Sequence, residues 1–274
     1  MSPVGPIGAS EKTILLDSLA IMLAIIVPTI VATLAVAWWF RASNGRARRR
    51  PEWAFSGQIE LVVWAIPLMT ILLLGGVTWI GSHALDPRKP IATDGPTLHV
   101  QVVALDWKWL FIYPDQRVAT VNELVVPTGV PVRFSITSAS VMNTFFVPRL
   151  GSMIYAMNGM ATELNLRADQ AGSVMGLSTM LSGEGFSDMH FEVRALAAGE
   201  FDAWLDTTRR AGGTLDSARY MALARQSVED RRMGFGSVEP GLFDRVVDQS
   251  LPPGPGPGLK NPGAANPVTA RRPQ

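Results

Sequence analysis

Few side chains in this sequence could do chemistry. There is no cysteine, and the only histidines are His83, His99 and His190. Without thiolates there can be no disulfide framework, thiolate zinc site, iron–sulfur cluster, thiol nucleophile or cysteine-bridged copper centre. A histidine-rich catalytic metal site would need almost the whole histidine supply. His99 and His190 hold polar positions of alternating segments, where a solvated surface is the ordinary setting, and His83 ends an apolar run. Met142, Met153, Met157, Met160, Met175, Met180 and Met189 crowd one stretch and could form a soft thioether cluster. Flexible gap filling is the commoner use of methionine, and it is the expectation here. Trp107 and Trp109 are predicted to share one face of a strand and to serve packing or subunit contact. Glu60 heads an otherwise uncharged run. A carboxylate beside lipid is costly unless it faces protein or water, which marks it as functional. The plain alternative is a hydrated acid favoured by the helix dipole.

The elements that must position these residues begin with two uncharged runs, 18–40 and 61–82. At about 1.5 Å per residue, helices of about twenty residues cross a hydrocarbon core of about 30 Å. Pro28 and Pro67 lie inside the runs, as membrane helices tolerate when neighbours re-satisfy the freed carbonyl. Trp38, Trp39 and Phe40 close the first run, Trp53 precedes the second and Trp79 lies near its far end, which makes an aromatic belt. A cleaved signal peptide would have a shorter core behind a basic start, whereas Glu11, Lys12 and Asp17 lead here. Arg41, Arg46, Arg48, Arg49 and Arg50 sit between the runs with no acid before Glu52, so the turn is predicted to be cytoplasmic and both termini exported. The charged fraction is 17%, below the roughly 25% of soluble domains, which suits a membrane protein. A net charge of +1 gives no electrostatic footprint for nucleic acid.

Beyond Asp86-Pro87 the pattern changes to alternation: Val132, Phe134 and Ile136; Leu164 and Leu166; Met189, Phe191, Val193 and Ala195. Half-buried strands with turn signals between them predict a β-sandwich over 89–198. Phe201, Trp204, Leu205 and Thr208 fall at helical spacing and open a helical extension over 199–250, with a second helix expected from Thr214 to about Val228. The Pro/Gly-rich tail, 251–274, is expected to be disordered. The N-terminal segment and hairpin occupy 1–88. The fold class is membrane α + β, with exported sandwich and extension.

Three strings carry a family resemblance: VALDWKWLFIYP from Val103, SASVMNTFFVPRLGSMIYAMNGM from Ser138 and GSVMGLSTMLSGEGFSDMHF from Gly172. With the hairpin, and over roughly residues 7 to 250, the chain resembles subunit 2 of the haem–copper oxidases, and more closely that of the cytochrome bo-type ubiquinol oxidases. The resemblance implies a cupredoxin-like sandwich. The cytochrome c branch holds a dinuclear copper there, and its ligand positions fall on Asn143, Ser178, Met180, Ser182 and Phe186, with only Met189 retained. Neutral, hard hydroxyls cannot replace bridging thiolates, and one thioether cannot hold a copper pair.

The resemblance therefore implies an accessory, non-catalytic subunit of a proton-translocating ubiquinol:oxygen oxidoreductase that takes no electrons from cytochrome c. No catalytic, cofactor-binding or metal-binding residue is expected in this chain. Haems and one copper belong to a large catalytic subunit, which is the expected partner together with smaller membrane subunits, lipid and ubiquinol. In the family an acid at the Glu60 position marks the mouth of a proton-uptake path. The expected location is the bacterial inner membrane, multi-pass. Relatives from enteric bacteria carry a lipid-modified cysteine upstream of the first span; either such an anchor is lacking here or it precedes residue 1, and two spans suffice for anchoring in both cases. A quinol-dependent nitric oxide reductase subunit and a membrane-anchored β-sandwich assembly or binding protein stay open as alternatives.

Overall fold

The computed structural model describes residues 2–48, 50–93, 95–227 and 231–256. Two long helices come first, α1 (Pro6–Trp39) and α2 (Gly57–Ala84). Both outrun the predicted spans, because nothing between Pro6 and Ser18 or between Gly57 and Leu61 breaks a helix. Proline is at home in a first turn, where its missing N–H costs nothing. Both are long and apolar enough to cross a membrane.

The strands follow as β1 (Leu98–Leu105), β2 (Lys108–Tyr113), β3 (Val118–Val121), β4 (Glu123–Pro127), β5 (Pro131–Ser138), β6 (Asn143–Phe145), β7 (Ile154–Ala156), β8 (Thr162–Arg167), β9 (Gly172–Leu177) and β10 (His190–Leu196). The extension adds α3 (Ala198–Ala211), β11 (Thr214–Leu215), α4 (Ser217–Leu223), β12 (Met233–Phe235), β13 (Ser237–Val238) and α5 (Leu242–Val247). One sheet runs β12-β3-β2-β1-β5-β8 and faces a second of order β4-β10-β9; β6 pairs with β7 and β11 with β13. In the first sheet β1 lies parallel to β5, with Val100 opposite Phe134, and antiparallel to β2, with Ala104 opposite Trp109. Between the sheets Trp109, Phe111, Phe134, Phe145 and Phe191 form the centre of one core. The two-sheet sandwich is cupredoxin-like.

The first sheet is apolar on its other face too. Val103, Leu105, Leu110, Ile112 and Val121 point away from the sandwich and are covered by Leu215, Tyr220, Leu242, Phe243 and Val246 of the extension. Every residue of β2 is buried as a result, which is the signature of a strand sealed on both sides.

The structure departs from the sequence expectations at four places. Residues 2–9 group with the sandwich rather than with the hairpin, whose compact unit is Ser10–Asp86. Val4 donates its N–H to the Arg149 carbonyl at 2.8 Å and accepts from Asp169 N–H at 2.8 Å. A Cβ on Gly5 would lie 2.0 Å from the Arg167 carbonyl oxygen, so only glycine fits that approach. Second, no long helix starts at Thr214. Residues 214–215 form a strand, and the Asp216 carboxylate caps the short helix that follows by accepting from Arg219 N–H at 2.8 Å; residue 228 lies outside the described residues. Third, Trp107 occupies the β1–β2 turn with φ of 64° instead of sharing a strand face with Trp109. Fourth, 251–256 is ordered against the sandwich: Gly254 N–H donates to the Ala139 carbonyl at 2.8 Å. The rest of the predicted disordered tail, 257–274, lies outside the described residues.

Candidate functional site

The loop between β9 and β10, residues 178–189, meets β6 and the β1–β2 turn. It brings together four of the positions singled out in the sequence. Ser178 Oγ donates to Asn143 Oδ1 at 3.2 Å, and the same oxygen accepts from Thr144 N–H at 3.4 Å. Asn143 Nδ2 donates to the Val141 carbonyl at 3.3 Å. Ser182 Oγ donates to Met189 Sδ at 3.9 Å. The backbone closes the ring, with Ser178 N–H donating to the Met189 carbonyl at 3.2 Å and Met189 N–H to the Phe186 carbonyl at 3.1 Å. Asn143, Ser178, Ser182 and Met189 are all buried. Met180 and Phe186, both half-buried, enter this network only through carbonyl oxygens.

The loop is seated on aromatic rings. Trp107 donates Nε1–H to the Ser182 carbonyl at 3.0 Å. Its indole covers Gly185, where a Cβ would lie 2.4 Å from a ring atom. Below, Phe145 and Phe191 stack at 5.3 Å between centroids and 15° between planes, and Trp109 meets Phe145 edge-on at 5.6 Å. Chemically, Asn143, Ser178, Ser182 and Met189 are a set of neutral hydrogen-bonding groups. It holds no imidazole, thiolate or carboxylate at the positions that converge, and among the described residues no three His, Asp or Glu side chains come together as a metal site. The donors and acceptors at these positions answer one another.

Sequence reasoning missed the ionisable pair that flanks Trp107. Asp106 and Lys108 are both buried. Asp106 accepts from Gly256 N–H at 2.8 Å and from the Ser140 hydroxyl. Lys108 Nζ donates to the Arg225 carbonyl at 2.8 Å and to Ser227 Oγ at 2.5 Å. Burial raises the Asp106 carboxyl above the ordinary carboxylate range, against the opposing pull of Ser140, Gly256 and the Lys108 charge. Lys108 ties the extension, and Asp106 the 251–256 segment, to the tip of the β1–β2 hairpin. A charged residue on each side of a tryptophan in an apolar string was the available signal.

In the helical unit Glu60 is exposed in the first turn of α2, and its carboxylate accepts from Trp64 Nε1–H at 3.2 Å. The His83 ring lies 4.3 Å from that of Trp79. His99 and His190 are exposed on their strands.

Residues 114–196 match the family described as "Cytochrome C oxidase subunit II, periplasmic domain", and residues 209–254 match the "COX Aromatic Rich Motif". The chain is 48% identical to "Ubiquinol oxidase subunit 2" of Acetobacter aceti over 90% of its own length and 81% of that protein. It is 44% identical to "Cytochrome bo(3) ubiquinol oxidase subunit 2" of Pseudomonas aeruginosa, over 90% of this chain and 74% of the relative. "Quinol oxidase subunit 2" of Bacillus cereus is 31% identical over 86% of this chain and 81% of its own. Among solved structures, the periplasmic domain of cytochrome oxidase subunit II of Bradyrhizobium japonicum superposes with a TM-score of 0.42 at 25% identity, covering 44% of this chain and 98% of that one.

Proposed function

Because the chain belongs to the ubiquinol oxidase subunit 2 family of the haem–copper oxidases, we propose that it is the copper-less, non-catalytic subunit 2 of a proton-translocating complex that oxidises ubiquinol and reduces dioxygen to water. At the coarser level it is a subunit of a terminal quinol oxidase, with a catalytic partner subunit. The observation that carries the finer reading is the Asn143–Ser178–Ser182–Met189 ring. A dinuclear copper needs anionic soft bridges, and at these positions stand neutral groups already engaged with one another. The residues do not fit the metal. Electrons from a soluble cytochrome then have no relay through the sandwich, and reducing equivalents enter as quinol at the membrane.

In this reading the arginine turn faces the cytoplasm, the sandwich faces the periplasm, and Glu60 offers protons a way into the large subunit. The test uses the intact complex in membranes. Oxygen uptake is expected with ubiquinol and not with reduced cytochrome c, together with a haem signal in the reduced-minus-oxidised spectrum. Metal analysis is expected to find copper equal to the large subunit's content and no additional pair. Cytochrome c oxidation that depends on this chain overturns the proposal.

A further inference from the structure

The turn between α1 and α2 carries positive charge that the rest of the described chain leaves uncompensated. Arg41 closes the end of α1. Its Nη1 donates to the Trp38 carbonyl at 2.9 Å, and its guanidinium carbon lies 4.5 Å from the centroid of the Trp38 ring. Asn44 sets the next bend, with Nδ2 donating to the Trp39 carbonyl at 2.6 Å and Oδ1 accepting from Arg46 N–H at 3.2 Å. Past that bend Arg46, Arg48 and Arg50 are exposed, and among the described residues no carboxylate pairs with any of them. In the sandwich and extension Arg133, Arg167, Arg194, Arg209, Arg232 and Arg245 each meet an Asp or Glu, while others such as Arg117 and Arg210 meet none among the described residues; the turn differs in gathering its unpaired arginines within five positions.

Exposed aromatic rings bracket the turn, with Trp38, Trp39 and Phe40 before it and Trp53 and Phe55 after. Such residues settle at headgroup depth, so the three free guanidiniums lie in the plane of lipid phosphates. A guanidinium fork matches two phosphate oxygens. A zwitterionic lipid already carries a cation beside its phosphate, whereas an anionic lipid does not. We propose that this turn binds the phosphodiester of anionic phospholipids through Arg46, Arg48 and Arg50. The inference rests on the two helices spanning a membrane and is independent of the redox assignment.

The experiment measures lipid retained by the purified complex after detergent exchange, with phosphatidylglycerol and phosphatidylcholine supplied in equal amounts. The wild type is expected to keep phosphatidylglycerol preferentially. The R46Q/R48Q/R50Q variant should lose this preference by on the order of a hundredfold, at roughly fivefold per arginine. R46K/R48K/R50K keeps the charge and should retain a preference reduced by less than that. Free inorganic phosphate, which shares the chemistry but lacks acyl chains, should fail to displace the lipid. Equal retention of both lipids by the wild type overturns the proposal, as does displacement by phosphate. A glutamine variant that keeps phosphatidylglycerol but sheds the large subunit also overturns it, because the arginines then serve an acidic protein face. The wild-type comparison and the phosphate competition involve no substitution, so they decide the matter even if the glutamine variant does not assemble.

Discussion

Ser178 does two jobs with one hydroxyl: it donates to Asn143 Oδ1 and accepts from Thr144 N–H. Replacing it with alanine leaves a buried amide oxygen and a buried N–H without this partner, so Ser178→Ala should cost about 1–3 kcal/mol in a urea titration of the full chain. Asp106 is the residue whose contribution changes with pH. Burial raises its titration in the folded state, so the native protein holds a proton there at pH values where the unfolded chain has lost it. Stability from this group is therefore present at acid pH and lost as pH rises from the ordinary carboxylate range through the raised native value. Asp106→Asn keeps an acceptor for Gly256 N–H and should flatten that slope, whereas Asp106→Ala removes the acceptor and should weaken the fold at every pH. Denaturation midpoints across the acid range check both. These roles differ in legibility. The identity of residues 143, 178, 182 and 189 was readable from the sequence, but their closure into one ring needed β6 and the 178–189 loop in place. Asp106 was passed over because a charge in a strand string reads as solvent-facing until the extension is seen to bury it.

At the level of elements, period-2 alternation located β5, β8 and β10 because each has one wet face. The same logic is silent about β2, where the extension seals the second face and alternation disappears. The long helix expected after Thr214 failed for a local reason: Asp216 caps a new start, and β11 must first pair with β13. Glycines show how one substitution can have opposite signs in neighbouring elements. In β9 a Cβ on Gly176 would lie 2.1 Å from the Phe191 ring, and that ring cannot retreat because it is stacked on Phe145. Gly176→Ala should therefore destabilise the sandwich by about 1–3 kcal/mol, as overpacked cores do. Gly199, in the first turn of α3, has open space around its Cβ position. Gly199→Ala should be neutral or stabilising by about 0.4–1 kcal/mol, since it restricts the unfolded chain at no native cost. Tryptophan fluorescence during urea denaturation measures both; a loss on Gly199→Ala as large as that on Gly176→Ala would refute this packing account.

The whole molecule joins a hairpin that needs lipid to a sandwich with two cores of its own. The sandwich and its extension hold themselves together through Val4, Asp106, Lys108 and the 251–256 segment. In the proposed reading the chain's contribution to proton movement lies in the helical unit, where Glu60 is the ionisable side chain in the first turn of α2. Its carboxylate is engaged by Trp64 Nε1–H alone among the hydrogen bonds of the described residues, which leaves the second oxygen available to water or to a partner helix. A group in that position relays protons only if it can take one up and pass it on. Glu60→Gln preserves size and the bond from Trp64 but cannot do so. In the assembled oxidase, Glu60→Gln should slow ubiquinol-driven oxygen uptake on the order of tenfold, less than the roughly 10²–10⁴-fold of a positioned acid–base group because water partly replaces it. Glu60→Asp, one methylene shorter, should restore most of the rate, and the haem spectrum should be unchanged in both variants. A purely structural acid predicts the reverse order, with glutamine tolerated and the shortened side chain no better. Turnover and proton uptake measured on the same two variants separate these outcomes.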